Sequence, residues 1–181
     1  DAGGKDGGER LGHFAIGVLE PGFVDPAGRP ELAPHLTVEE NIVLGMEPRR
    51  GPFIDRKTMR EKTMEALKTT AVKIPNVDNP IRNMSGGQRQ CVAIARTAAF
   101  ASKLVIMDEP TAALGVQETA QVENIIRGLK DRGIPMILIS HNLRQVFDLV
   151  DRIVVFRRGR IVASLRKDET DGNDIVAYIT G

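Results

Sequence analysis

The chain has 181 residues, enough for one hydrophobic core, and 41% hydrophobic with 27% charged residues is the ordinary composition of a soluble globular domain. With 25 Lys and Arg against 24 Asp and Glu the net charge is +1, so no global field recruits nucleic acid or an acidic lipid surface. The single cysteine, Cys91, excludes an internal disulfide and fits a reducing compartment; no apolar run reaches membrane-spanning length and no signal peptide is visible, so membrane association is expected only through a partner.

Residues 1–30 hold eight of the 18 glycines and three of the 10 prolines. Their one strand-like run is Phe14 to Leu19, and the rest reads as loop. Gly4-Lys5 invites comparison with a phosphate-binding loop, but Asp6 follows where such a loop needs Ser or Thr, and no apolar strand precedes it. A flexible terminus is the better expectation for Lys5. Thr37 and Glu40 then form a Thr-x-x-Glu capping box that opens a short helix, Val38 to Gly45. Pro48 and Gly51-Pro52 break the chain. Asp55 caps a second helix of about Arg56 to Ala71, with Met59, Thr63, Ala66, Leu67 and Thr70 on one side.

The stretch Asn83 to Leu114 carries the chemistry. Ser85-Gly86-Gly87-Gln88 reads as a helix start: Ser85 caps, Gln88 reaches back, and the glycines leave backbone N–H groups open to an anion. A plain capping box explains Ser85 and Gln88 but not the Gly-Gly pair, because glycine in a helix costs up to about 1 kcal/mol against alanine. Cys91 and Val92 to Ala95 are expected in the core. After this helix, Leu104 to Met107 is an apolar run of strand length, expected to be buried, ending in Asp108-Glu109-Pro110. Two carboxylates thus stand at the carboxyl end of a strand, the edge at which open α/β sheets bind ligands.

Downstream, Val122, Ile125, Ile126 and Leu129 mark one face of a helix that stops at Gly133. The strand Ile134 to Ser140 leads to His141, and Asn142 to Val150 reads as a short helix. Arg152 to Leu165 alternates and turns at Arg158-Gly159, a strand-turn-strand whose arginines read as a solvated hairpin tip. A last helix, about Asn173 to Ile179, is expected to pack Ile175, Val176 and Ile179.

In order and identity these motifs resemble the ATP-binding-cassette (ABC) ATPases, with Ser85 to Gln88 as the signature and Ile106 to Pro110 as Walker B. Thr111 to Leu114 matches the D-loop region, with Gly115 where Asp is frequent, and Ile139-Ser140-His141 matches the switch-histidine strand end. Glu31 to Gly45, the TAALG form of the D-loop and the ending IVAYITG are similar to bacterial sugar-importer ATPases. The resemblance covers roughly residues 31 to 181, which divides the chain into an atypical segment, 1–30, and a partial ATPase domain, 31–181, with a helical subdomain over about 38–100. It implies an α/β, RecA-like P-loop NTPase core with a small helical signature subdomain.

The resemblance also implies roles. Asp108 would hold Mg2+ through its water shell, Glu109 would act as general base and His141 would contact the γ-phosphate. Ser85, Gly86, Gly87 and Gln88 would bind ATP held mainly by a second ATPase subunit. Further partners would be integral-membrane permease subunits, touched by the helical insert, and indirectly a periplasmic sugar-binding protein, at the cytoplasmic face of a bacterial inner membrane; nucleic acid is not expected. Three departures point to an N-terminally incomplete cassette: the first Gln is Gln88, so no Q-loop glutamine precedes the signature; no Ser or Thr follows an early Gly-Lys; and the only tyrosine, Tyr178, is far from the adenine-stacking position. The sheet is therefore expected to lack its interior P-loop strand and to leave strand edges unpaired. Two alternatives stand beside the sugar-importer ATPase, which in this chain is expected to be impaired and to bind nucleotide weakly at best: a non-catalytic module completing a partner's ATP site, and a non-transport cassette of DNA repair or translation.

Overall fold

A computed structural model of the chain describes residues 14–18, 32–100 and 104–181. Apart from Phe14–Val18, the atypical segment and its Gly4-Lys5 pair lie outside the described residues. Helices form where the local caps call for them. Thr37 caps α1 (Val38–Val43): its Oγ1 accepts from Glu40 N at 3.1 Å, and Glu40 Oε2 accepts from Thr37 N at 2.8 Å. Asn41 is fully buried behind this cap, accepting from Ala33 N and donating to the carbonyls of Ala33, Leu36 and Thr37. Helix α2 (Arg56–Thr69) starts at Asp55, whose carboxylate accepts from Thr58 N, and buries Met59, Thr63, Ala66 and Leu67. Between α1 and α2 the expected break is a small hairpin, β2 (Arg49–Arg50) and β3 (Phe53–Ile54), turning at Gly51, whose φ is +64°. Helix α3 (Gly86–Phe100) packs on α1, on α2 and on α4 (Val116–Asp131).

The main sheet combines β1 (Phe14–Val18), β4 (Val105–Asp108), β5 (Met136–Ile139), β6 (Arg152–Arg157) and β7 (Arg160–Arg166) in the order β4-β5-β1-β6-β7. The first four of these neighbours run parallel; β7 returns antiparallel through Arg158-Gly159, both with positive φ, the geometry a two-residue hairpin favours. The expectation of unpaired interior edges is corrected here. β1 lies between β5 and β6, with Ile16 opposite Ile139 on one side and Val154 on the other. No P-loop follows it in sequence: the next residues are Leu19-Glu20-Pro21-Gly22.

Strand β4 departs from the expected fully buried strand. Val105 and Met107 are buried, but Ile106 is 58% exposed and Asp108 is exposed with it, because β4 stands at the end of the sheet order. Helix α4 buries Val122, Ile125, Ile126 and Leu129 as its periodicity requires, and α5 (Leu143–Leu149) connects β5 to β6. In α6 (Gly172–Thr180) Ile175 is buried and Ile179 packs on the core, whereas Val176 faces outward, against expectation.

Candidate functional site

Parallel strands deliver two loops to one edge of the sheet. Asp108 is the last residue of β4, paired with Ile139 at the end of β5. The next residue, Glu109, adopts φ +43°, a conformation that costs a non-glycine residue roughly 1–2 kcal/mol. Its N–H bonds Ile139 O at 2.9 Å, which fixes the point where the chain leaves the sheet. From there the Glu109 carboxylate reaches the β5 loop: Oε1 accepts from the backbone N of His141 at 2.9 Å and lies 2.6 Å from His141 Nδ1. The His141 side chain is 66% exposed and that of Glu109 is 25% exposed, so the pair faces solvent above the sheet. A carboxylate oriented in this way can accept a proton from a water, and the ring beside it can register what binds there.

A buried network sets these loops. Ser140 Oγ donates to Gln145 Oε1 at 3.1 Å and accepts from Asn142 N at 3.2 Å. Gln145 Nε2 donates to Thr111 Oγ1 at 3.0 Å, so one fully buried amide ties the loop after β4, the end of β5 and the start of α5. Sequence reasoning passed over Gln145; its signal was the Asn142-x-x-Gln145 spacing of a capped helix start. Asp108 has no side-chain partner among the described residues, and no cluster of three or more metal-ligating side chains occurs among them. One free carboxylate at a sheet edge fits magnesium, which takes one or two carboxylates plus substrate phosphates rather than an all-protein cage.

The signature turn is a second, separate constellation. Ser85 Oγ accepts from Gln88 N at 3.2 Å and Gln88 Oε1 accepts from Ser85 N at 3.0 Å, the reciprocal box read from sequence. A residue not singled out from sequence completes it. Glu118, in the first turn of α4, accepts from Ser85 Oγ at 2.9 Å and from Gly87 N at 3.3 Å through Oε1, and from Gly115 N at 3.2 Å through Oε2. These donors, Gly115 N–H first and then the Ser85 hydroxyl and Gly87 N–H, hold its carboxyl below the usual glutamate range. Gly87 is needed for this contact, since a Cβ there would lie 2.7 Å from Cβ and Cγ of Glu118. A Cβ at Gly86 would meet, among the described residues, only Leu114 Cδ2, at 3.7 Å, an ordinary contact. One turn deeper, Cys91 is buried, and burial, with the Glu118 charge adding to it, pushes its thiol upward.

Of the residues expected to share function, Glu109 and His141 are brought into contact, Asp108 adjoins them in sequence, and Ser85 to Gln88 form their own cluster. Among the described residues no hydrogen bond or ion pair joins the two groups.

A family model described as ABC transporter matches residues 22–112. The chain is 39% identical over 149 residues to the xylose/arabinose import ATP-binding protein of Sulfolobus acidocaldarius, covering 82% of this chain and 59% of that protein. It is 41% identical over 158 residues to the fructose import ATP-binding protein of Rhizobium meliloti, with 83% and 61% covered. Against the ribose import ATP-binding protein of Lactococcus lactis the identity is 40% over 149 residues, with 82% and 30% covered. The chain therefore spans about three fifths of the length of the first two relatives and under a third of the last. In fold it is similar to the ATP-binding cassette MJ0796, solved as a dimer in a post-hydrolysis state bound to ADP and Pi, with a TM-score of 0.61 at 23% identity over 84% of this chain and 63% of that one.

Proposed function

The chain belongs to the ABC transporter family, and from that premise we propose that it is part of an ATP-binding subunit that hydrolyses ATP to drive carbohydrate uptake. The observation that carries this reading is the Glu109 carboxylate held on His141 at the carboxyl edge of parallel strands, beside Asp108, whose side chain has no partner among the described residues. In it, Asp108 would hold magnesium, which would neutralise charge on the nucleotide phosphates. Glu109 accepts the proton of the attacking water, and His141, tied to the same oxygen, senses the terminal phosphate. The sugar-import names of the relatives support carbohydrate as cargo.

The signature turn shares no hydrogen bond with this pair among the described residues, and its donors serve ATP carried by a second ATPase subunit. The subunits sit on membrane permease subunits at the cytoplasmic face of the membrane, with a sugar-binding protein delivering cargo from the far side. No helix among the described residues is long and apolar enough to cross a membrane, which suits attachment through partners.

A second reading, favoured by the convergence of the Ser85 hydroxyl and Gly87 N–H on one carboxylate oxygen, an anion-holding arrangement, is a non-catalytic module that only completes its partner's ATP site. ATP turnover by the assembled transporter separates the two. For a catalytic subunit, Glu109→Gln lowers turnover by roughly 10²–10⁴ and leaves nucleotide trapped. For a completing module, Glu109→Gln changes nothing while Ser85→Arg abolishes turnover. Full turnover in both variants overturns both readings.

A further inference from the structure

We propose that Glu118 is a built-in competitor for the signature turn: its carboxylate occupies the Ser85 and Gly87 donors that a nucleotide phosphate on the second subunit requires, and it must turn aside before the two subunits close on ATP. The inference rests on the composite-site reading above and adds a regulatory element to that site.

Three observations carry it. First, the occupant is an anion on anion donors: Oε1 of Glu118 takes both the Ser85 hydroxyl and the Gly87 N–H, at 2.9 and 3.3 Å. Charge-assisted bonds of this kind are about twice as strong as neutral ones, so the donors are engaged while the chain is alone. A phosphate arriving there meets like charge as well as occupied donors.

Second, the contact is built into the backbone. Gly87 brings α3 so close to the Glu118 stem that any side chain at position 87 would collide with it. The chain thus uses a glycine that costs helix stability to seat this carboxylate, which a capping box alone does not require. Third, there is a way out that leaves the helix intact. Oε2 is held separately by Gly115 N at 3.2 Å, at the start of α4. Rotation of the carboxylate about that anchor frees Oε1 from Ser85 and Gly87 while α4 keeps its N-terminal bond. Glu118 touches no reacting atom in this scheme and acts only by holding or yielding the donors.

The test uses an ATPase assembled from the full chain and a second ATPase subunit that has an intact phosphate loop but an arginine in place of its own signature serine. Loss of a charged competitor worth a single charge-assisted bond lowers the ATP concentration for half-maximal turnover about tenfold. Glu118→Gln, which keeps an acceptor for Gly115 N–H, is expected to give that shift with kcat within about twofold. Glu118→Ala is expected to shift in the same direction.

A half-maximal concentration that stays the same or rises in both variants overturns the competitor role, leaving Glu118 as a cap that orders the turn. That outcome is distinguishable from failure of the underlying reading. If Ser85→Arg leaves turnover intact, the composite site and the competitor fall together. If Ser85→Arg abolishes turnover while the Glu118 variants do not shift it, only the competitor falls.

Discussion

Two residues show how chemistry here is set by backbone geometry. Glu109 keeps a left-handed φ in spite of its side chain, because the N–H bond to Ile139 O and the carboxylate bond to His141 N hold it from both ends. Glu118 keeps its charge because three donors converge on it. The linkage sign follows from the direction of the Glu118 shift. A carboxyl held below its unfolded value contributes stability above the unfolded pKa and loses it as pH falls through the folded one. Ser85→Ala removes one of the donors, so the Glu118 carboxyl should titrate at higher pH, and the stability this carboxyl contributes above its unfolded pKa should be smaller. Carbon-13 NMR of the Glu118 carboxyl checks this; an unmoved midpoint would mean the Ser85 contact is absent in solution. At this scale the sequence was informative where a residue's role is local. Ser85 and Gln88 bond each other three residues apart, as their spacing requires. The Ser85 to Glu118 contact spans 33 residues and follows from the packing of α3 on α4, which no local pattern encodes.

Helices were legible for the same reason. The caps at Thr37, Asp55 and Asn142 and the apolar faces of α2 and α4 are all set within a few residues. Short strands were not: β2 and β3 have two residues each around Gly51-Pro52, too few for periodicity to register. Helix α2 contains one element-scale liability. Thr63 is fully buried on its inner face, and its Oγ1 has no hydrogen-bond partner among the described residues. An unpaired buried hydroxyl costs free energy that a methyl group of similar shape avoids. Thr63→Val should therefore leave the protein as stable as before or up to about 1 kcal/mol more stable, as read by urea unfolding at constant m. A loss of 1 kcal/mol or more would mean the hydroxyl is satisfied in solution.

For the whole molecule the decisive feature is the strand order, with β1 inside the sheet although the sequence before residue 31 carries little else of strand character. Its position between β5 and β6 depends on pairings more than 120 residues distant, so the run Phe14 to Val18 was readable as a strand but its neighbours were not. An interior parallel strand tolerates proline poorly. Ile16→Pro should lower stability by about 3 kcal/mol or more and broaden the unfolding transition, since it removes a ladder donor and opens both flanking strands. A variant as stable as the parent would place β1 outside the sheet in solution. The sheet in turn holds the Glu109 and His141 loops at one edge, while α3 and α4 hold the signature turn, and the proposed composite site has two subunits share one nucleotide. The most direct test is steady-state ATP hydrolysis by the mixture of this chain with a second ATPase subunit whose phosphate loop is intact and whose signature serine is replaced by arginine. Turnover absent from the second subunit alone, restored by this chain and lost again with Ser85→Arg, is the expected result. Equal restoration by the parent and by Ser85→Arg would contradict the composite site.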